Sequence, residues 1–280
     1  MSAICFGITN CLWIFPQKKQ HFIHVIILRS VVTVILFGIT TFFFQLNKSY
    51  LIKDLIVAVF ISLFSCLGLF FYTKSLNVTT VAVAVPISAI NSFFGVLVGV
   101  IIFKDNLPNL FFLIAIGLVT GLFLIESKTN SKLLPLTKGT CYNLLAAVCW
   151  GITFGLFKIP VVTLGVWNFS FILELSVLLF SSCLAFTTYK RVKFQKSIIT
   201  QNFKWYVVLG LLAFIAVASH NLALKYTEVS KVSMIGNLTP MISIMLSLLL
   251  FKQNISKRQI VGIVILVVML LLLGFKALVF

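Results

Sequence analysis

Acidic residues are nearly missing from this chain. Five Asp and Glu stand against 22 Lys and Arg in 280 residues, and charged residues of both signs make up 10%. Soluble domains average about 25% charged, so a surface this poor in charge excludes an ordinary cytosolic enzyme and a disordered tail. The six cysteines contain no CxxC pair, which leaves no zinc or redox spacing and no secreted disulfide scaffold. There is no GxxxxGK[ST] phosphate cradle to support ATP-driven pumping. Three histidines and five acids, widely scattered, form no catalytic constellation, so neither an enzyme nor a metal or cofactor site is expected. The net charge of +17 is divided among short connections and never forms the contiguous basic footprint that nucleic acid requires.

What the chain has in excess is apolar sequence, 61% by composition. A helix crosses a bilayer with roughly 17–25 mostly apolar residues. Ten candidate segments follow, near residues 2–15, 22–44, 52–72, 78–103, 107–125, 139–159, 165–187, 203–223, 229–251 and 259–275. Their apolar runs do not alternate with polar residues as barrel strands do. The longest polar connections, 126–138 and 188–202, leave no room for a soluble domain. The expectation is an all-α integral membrane protein embedded in a lipid bilayer. The first segment is short for a span. It has no basic leader and no small-residue cleavage site, so it reads as a true helix that is short, tilted or missing residues through a misplaced start codon. The cysteines lie in or beside the apolar segments and read as small fillers in helix packing.

The chain also repeats itself. Cys5-Phe6-Gly7-Ile8-Thr9, with Leu12, Trp13 and Pro16, matches Cys149-Trp150-Gly151-Ile152-Thr153, with Leu156, Phe157 and Pro160, at a shift of 144. The stretch 29–37 lies loosely over 174–180, and Phe103-Lys104-Asp105-Asn106 answers Phe251-Lys252-Gln253-Asn254 at a shift of 148. Three matches in order predict a duplication with repeats at 1–126 and 138–280, five helices in each. Five is odd, so the second copy enters the membrane from the opposite face. The fold class expected is therefore ten transmembrane helices arranged as two inverted five-helix repeats, an arrangement typical of secondary transporters. Loop cations agree: connections after segments 1, 5, 7 and 9 carry Lys18/Lys19, Lys128/Lys132/Lys138, Lys190/Arg191/Lys193/Lys196/Lys204 and Lys252/Lys257/Arg258. Those after 2, 4 and 6 carry only Lys48/Lys53, Lys104 and Lys158. The positive-inside rule then puts both termini outside.

These features resemble the drug/metabolite transporter superfamily, specifically its EamA-type ten-helix transporters. The resemblance lies in Phe6-Gly7 and Trp150-Gly151, in Pro86 and Pro240 of the fourth helix of each half, in the two Phe-led turns, in Gly117/Gly121 and Gly262, and in the link 223–230. The turns depart from the family pattern at Lys104-Asp105 and Lys252-Gln253. The resemblance implies a secondary carrier, an exporter of small organic metabolites such as amino acids or drugs, working by alternating access in a bacterial inner (plasma) membrane. It names no substrate. Proton or cation coupling, and a monomer or a homodimer, stay open. The alternative is a non-transporting membrane scaffold or sensor, although the short loops give it little docking surface.

A charge at the bilayer centre is costly, and only Glu174 and Arg29 fall well inside predicted spans. The duplication places them at equivalent positions facing a central cavity. There they would form an ion pair, or act separately on a proton and an anionic substrate group. Ser219-His220-Asn221 covers too wide an arc for all three to face lipid. Pro86 and Pro240 interrupt the same helix in each half, at different depths, with Asn237 just before the second. Interrupted helices in corresponding positions point to a binding site, which Asn91, Ser88 and Thr239 would line. Thr9, Asn10 and Thr153 on the first helix of each half, and the deep Trp13 and Trp150, complete the expected pathway. His21 and His24 are expected at the membrane interface.

Overall fold

A bilayer offers no water to backbone N–H and C=O groups, so an apolar chain must satisfy them within itself, as helices do. The computed structural model describes residues 1–45, 50–106, 110–126, 137–188, 196–236, 238–251 and 256–275. Asn237, the Lys252-Gln253-Asn254 part of the second turn, and Lys48, Lys128, Lys132, Lys190, Arg191 and Lys193 lie outside the described residues. Among those described, every regular element is a helix: α1 (Ser2–Leu12), α2 (Ile14–Gln17), α3 (Phe22–Gln45), α4 (Ile52–Ser75), α5 (Val81–Ser88), α6 (Asn91–Phe103), α7 (Phe111–Glu126), α8 (Lys138–Leu156), α9 (Lys158–Leu164), α10 (Val166–Thr188), α11 (Lys196–Tyr226), α12 (Val229–Gly236), α13 (Leu238–Phe251) and α14 (Lys257–Phe275). Among the described residues six stretches are long and apolar enough to cross a membrane: Phe22–Phe44, Ile52–Ser75, Val83–Phe103, Lys138–Leu164, Val166–Thr187 and Ile199–Tyr226. The chain is a multi-pass membrane protein. Large apolar side chains such as Phe43, Phe60, Phe112 and Ile116 stand exposed on its outside, where lipid is their solvent.

Prolines cut the helices at related places. Pro16 has no N–H for the Leu12 carbonyl, and α1 ends at Leu12. Pro160 cannot serve Leu156, where α8 ends. Pro86 behaves differently from the expectation. Helix α5 runs through it and stops only at Ser88, and the interruption falls at Ala89–Ile90. There the Ser88 hydroxyl donates to the Val85 carbonyl at 3.0 Å. The amides of Ile90, Ser92 and Phe93 each reach back three residues instead of four. At the local shift of 148, Ala89 corresponds to residue 237, which lies outside the described residues. A second difference is the start of α11 at Lys196, seven residues before its apolar run begins.

Small residues set the closest crossings. A Cβ on Gly151 of α8 would lie 2.4 Å from the Asn91 carbonyl and from Phe94 Cβ of α6. A Cβ on Gly7 of α1 would lie 2.9 Å from Ile242 and 3.1 Å from the Thr239 carbonyl of α13. Helices α3 and α10 pack antiparallel: Arg29 meets Glu174, Gly38 faces Phe171 and Phe44 stacks on Trp167. Helices α7 and α14 do the same, with Gly117 against Met269 and Gly121 against Leu266. Each of the three buried apolar clusters draws residues from both sides of residue 130. No cluster belongs to one half of the chain.

Gly151→Val should destabilise the protein by about 1–3 kcal/mol through overpacking. Gly38→Ala, whose Cβ would find ordinary contact at 3.5 Å, should be close to neutral. Thermal unfolding of the two variants in detergent tests this; equal melting temperatures would contradict the close α6–α8 crossing.

Candidate functional site

Helices α1, α5, α6, α8, α11 and α12, with the α3–α10 pair, surround a cavity of about 530 Å³. That lies within the usual 300–1,000 Å³ of small-molecule sites. Arg29 and Glu174 line it at 6% and 2% exposure. Close packing of α3 against α10 brings the two side chains together. The Arg29 guanidinium donates through Nη1 to Glu174 Oε2 and, at 3.3 Å, to Ser30 Oγ. Thr33 Oγ1, one helical turn beyond Arg29, lies 2.8 Å from the same carboxylate oxygen. Arg29 Nε has no hydrogen-bond partner in the protein.

His220 and Asn221 of α11 also line the cavity. The His220 ring packs against Phe154 at 5.2 Å and Phe157 at 6.2 Å between centroids, and its Nε2 is buried without a partner. Asn221 donates from Nδ2 to Ser170 Oγ at 2.9 Å. Ser170 has a single hydroxyl hydrogen, which goes to the Val166 carbonyl at 2.7 Å, so Asn221 must be the donor of the pair. Its Oδ1 is then a free buried acceptor. Beside His220, Trp150 and Phe154 stack one turn apart on α8, with ring planes 8° apart. Phe6 of α1 also stacks on Phe154.

Most of the residues singled out in the sequence therefore meet in one place. Asn91 and Ser88 beside the α5–α6 interruption, with Thr239, Thr9, Asn10, Trp13 and Trp150, all line the cavity. Thr9 uses its hydroxyl on the Cys5 carbonyl at 2.7 Å, so it is not a spare donor. Thr153 does the same to Cys149 at 2.8 Å and does not line the cavity. Pro86 lies outside the lining, which takes Val85, Ser88 and Ala89 instead. His24 is buried, and His21, at the turn into α3, is half-buried, its pKa pushed below the ordinary value by desolvation. Sequence reasoning missed Ser170, Phe154, Phe157 and Thr33. It also missed Asp105, whose Oδ2 accepts from the Ser230 amide at 2.9 Å and so ties the turn after α6 to the first turn of α12.

The EamA-like transporter family pattern matches the sequence twice, over residues 1–127 and 137–275. The chain belongs to the EamA-like transporter family. No curated protein matches it. Among solved structures 28 chains match. One, described only as "Crystal structure of protein", superposes with a TM-score of 0.68 at 13% identity over 98% of each chain. At that identity the likeness speaks to the fold alone. Family membership makes this membrane protein a transporter of small solutes.

Removing one member of a buried ion pair strands the other charge, at a cost of about 3–5 kcal/mol, whereas replacing both by apolar groups is often neutral. Arg29→Met and Glu174→Leu should each lower thermal stability in detergent, and the combined Arg29→Met/Glu174→Leu protein should recover most of the loss. Additive losses would mean that the two side chains are not coupled.

Proposed function

We propose that the protein is a secondary carrier that exports small organic metabolites, such as amino acids or drug-like molecules, across a bacterial inner membrane by alternating access. In this reading residues 1–126 and 138–280 are inverted five-helix repeats forming ten spans, and the cavity between them is the substrate site. The observation that carries it is the cavity built jointly by both halves around the Arg29–Glu174 pair.

Three further findings support the repeat. The family pattern matches twice. Contacts recur under the internal shifts: Gly7 against Thr239 and Ile242 has its counterpart in Gly151 against Asn91 and Phe94. In the same way Cys11 Sγ sits 3.0 Å from the Ser243 carbonyl, and a Cβ on Gly155 would sit 3.5 Å from the Gly95 carbonyl. Corresponding helices, α3 with α10 and α7 with α14, pack antiparallel, as a twofold axis in the bilayer plane demands.

Alternating access requires the halves to rock about contacts that can be remade. The interruption between α5 and α6 supplies irregular backbone beside the cavity, where such structure is tolerated at membrane depth. Among the described residues the Arg29–Glu174 pair is the ion pair that joins the halves. A substrate group or a proton reaching Glu174 would weaken it and bias the rocking, which gives a route to proton coupling.

Reconstituted into proteoliposomes, the protein should give saturable, solute-dependent flux that an imposed proton gradient accelerates. Trp150→Ala should lower kcat/KM at least tenfold, Lys53→Ala on the exposed start of α4 should leave it unchanged, and Glu174→Gln should remove the gradient effect. Absence of flux over a broad metabolite panel would overturn the transport reading. Intact gradient dependence in Glu174→Gln would overturn the coupling route alone.

A further inference from the structure

The cavity reaches one end of the bundle and not the other. Toward the first its lining runs out to Thr227, in the link between α11 and α12, and to Ile235, which is exposed. Toward the second it stops at Trp13, Arg29, Leu69, Val85 and Ala213. About one to two helical turns further that way along the same helices come Phe22, Leu76, Val81 and Tyr206. All four are buried in one apolar cluster with Trp13, Tyr72, Ala146 and Leu209, so both halves supply the plug. The shut end is the one that carries Lys18 and Lys19.

Two neighbouring contacts across the halves pin this plug. The Tyr206 hydroxyl of α11 donates to Gln20 Oε1 in the turn between α2 and α3. Beside it Phe15 of α2 stacks on Trp205, with ring centroids 4.5 Å apart and planes within 3°. The internal repeat reproduces neither. At the shift of 144 that relates Pro16 to Pro160, Gln20 falls on Leu164 and Phe15 on Ile159; at shifts of 145 to 148 Tyr206 falls within 58–61. None of those side chains can hydrogen-bond, and Ala58, Ile61 and Leu164 share an apolar cluster. The shut end has further ties between the halves in Ser75 to Asn143 at 2.6 Å and Lys74 over the Tyr142 ring at 4.6 Å. Polar contacts join the halves at the open end too, from the Ser230 amide to Asp105 and from Asn168 to Tyr50. Both are made while that end is open, so neither holds it shut.

We propose that the Gln20–Tyr206 and Phe15–Trp205 contacts are a lock that holds the protein closed at the Lys18/Lys19 end and, through the rocking of the halves, open at the other. The proposal rests on the reading of the protein as an alternating-access carrier; it adds which state is favoured at rest, and by what. The locked end has a directional hydrogen bond and a ring stack that its aliphatic counterpart lacks, so the two access states are unequal before any solute binds. Water reaches Tyr206 and Gln20 once the plug opens, so their bond biases the equilibrium by its net worth alone, about three- to tenfold. A solute that moves the protein into the other state must bind that state better by at least the same factor. By the positive-inside rule the locked end faces the cytoplasm.

The test is hydrogen–deuterium exchange of the full-length protein in lipid nanodiscs, read segment by segment against wild type. Tyr206→Phe and Gln20→Leu should each raise exchange about threefold or more in 18–24 and 203–210 at the locked end. Each should also lower it in 158–165 and 224–231 at the open end, by a smaller factor because the open state stays the commoner one. The double variant should do no more than either single one, since both remove the same bond. Tyr206→Phe/Trp205→Leu, which removes both contacts, should drive both changes further. Tyr50→Phe, which breaks the contact with Asn168, should leave the locked end unchanged. If Tyr206→Phe fails to fold, Gln20→Leu decides by itself. A rise at the locked end with no fall at the open end marks a local packing contact and overturns the lock, as does no change at either end. Reciprocal exchange in a protein that gives no flux supports the lock and overturns the carrier reading, whereas flux without reciprocity overturns the lock alone.

Discussion

A guanidinium and a carboxylate placed inside an apolar bundle are tolerable only because each is the other's solvent. Coulomb attraction that is weak in water grows several-fold where the effective dielectric constant falls. That attraction dictates much of the surrounding geometry. It needs α3 and α10 packed at close range, so that the Arg29 side chain can reach Glu174 across the contact. It draws in Thr33 and Ser30 as additional hydrogen-bonding groups. It also leaves one face of the pair on a cavity rather than against packed side chains, so the polar centre is both a structural tie and a reachable surface.

The cavity exists because other crossings are tight. Where Gly151 lets α8 touch the backbone of α6, and Gly7 lets α1 touch α13, backbones replace side chains at the contact, as is usual for helices in a bilayer. These contacts pull the interrupted helices against α1 and α8 at one level, and the space left beside them is what Trp150, Phe154 and Asn91 line. Large exposed residues on the outside do nothing to close it, since lipid already solvates them.

Much of this was legible. The two charges stood out because so few others fall inside apolar runs, and the Cys5–Pro16 and Cys149–Pro160 match located α1, α8 and their paired proline ends. The helix interruption in the first half was not legible in its true place. Pro86 drew attention, yet the break depends on the Ser88 hydroxyl and a run of shortened amide contacts that no residue type announces. Phe154 and Phe157 could not be picked out of 29 phenylalanines, because composition does not say which ring turns inward. Ser170 owes its role to Asn221, 51 residues away on another helix, and such a pairing is written only in the packing. The early start of α11 was missed because residues outside the hydrocarbon need no apolar pattern to stay helical.

The Arg29–Glu174 contact joins residues 145 positions apart, and this has a consequence for biosynthesis. At about 5–20 residues per second, the ribosome delivers the glutamate roughly 7–30 s after the arginine. Through that interval the nascent α3 holds a cation with no counter-charge, so it must wait at the translocon or tilt toward the headgroups. The second half of the chain thus completes the insertion of the first, and a ribosome stalled between them would leave a fragment marked for proteolysis by its own stranded charge.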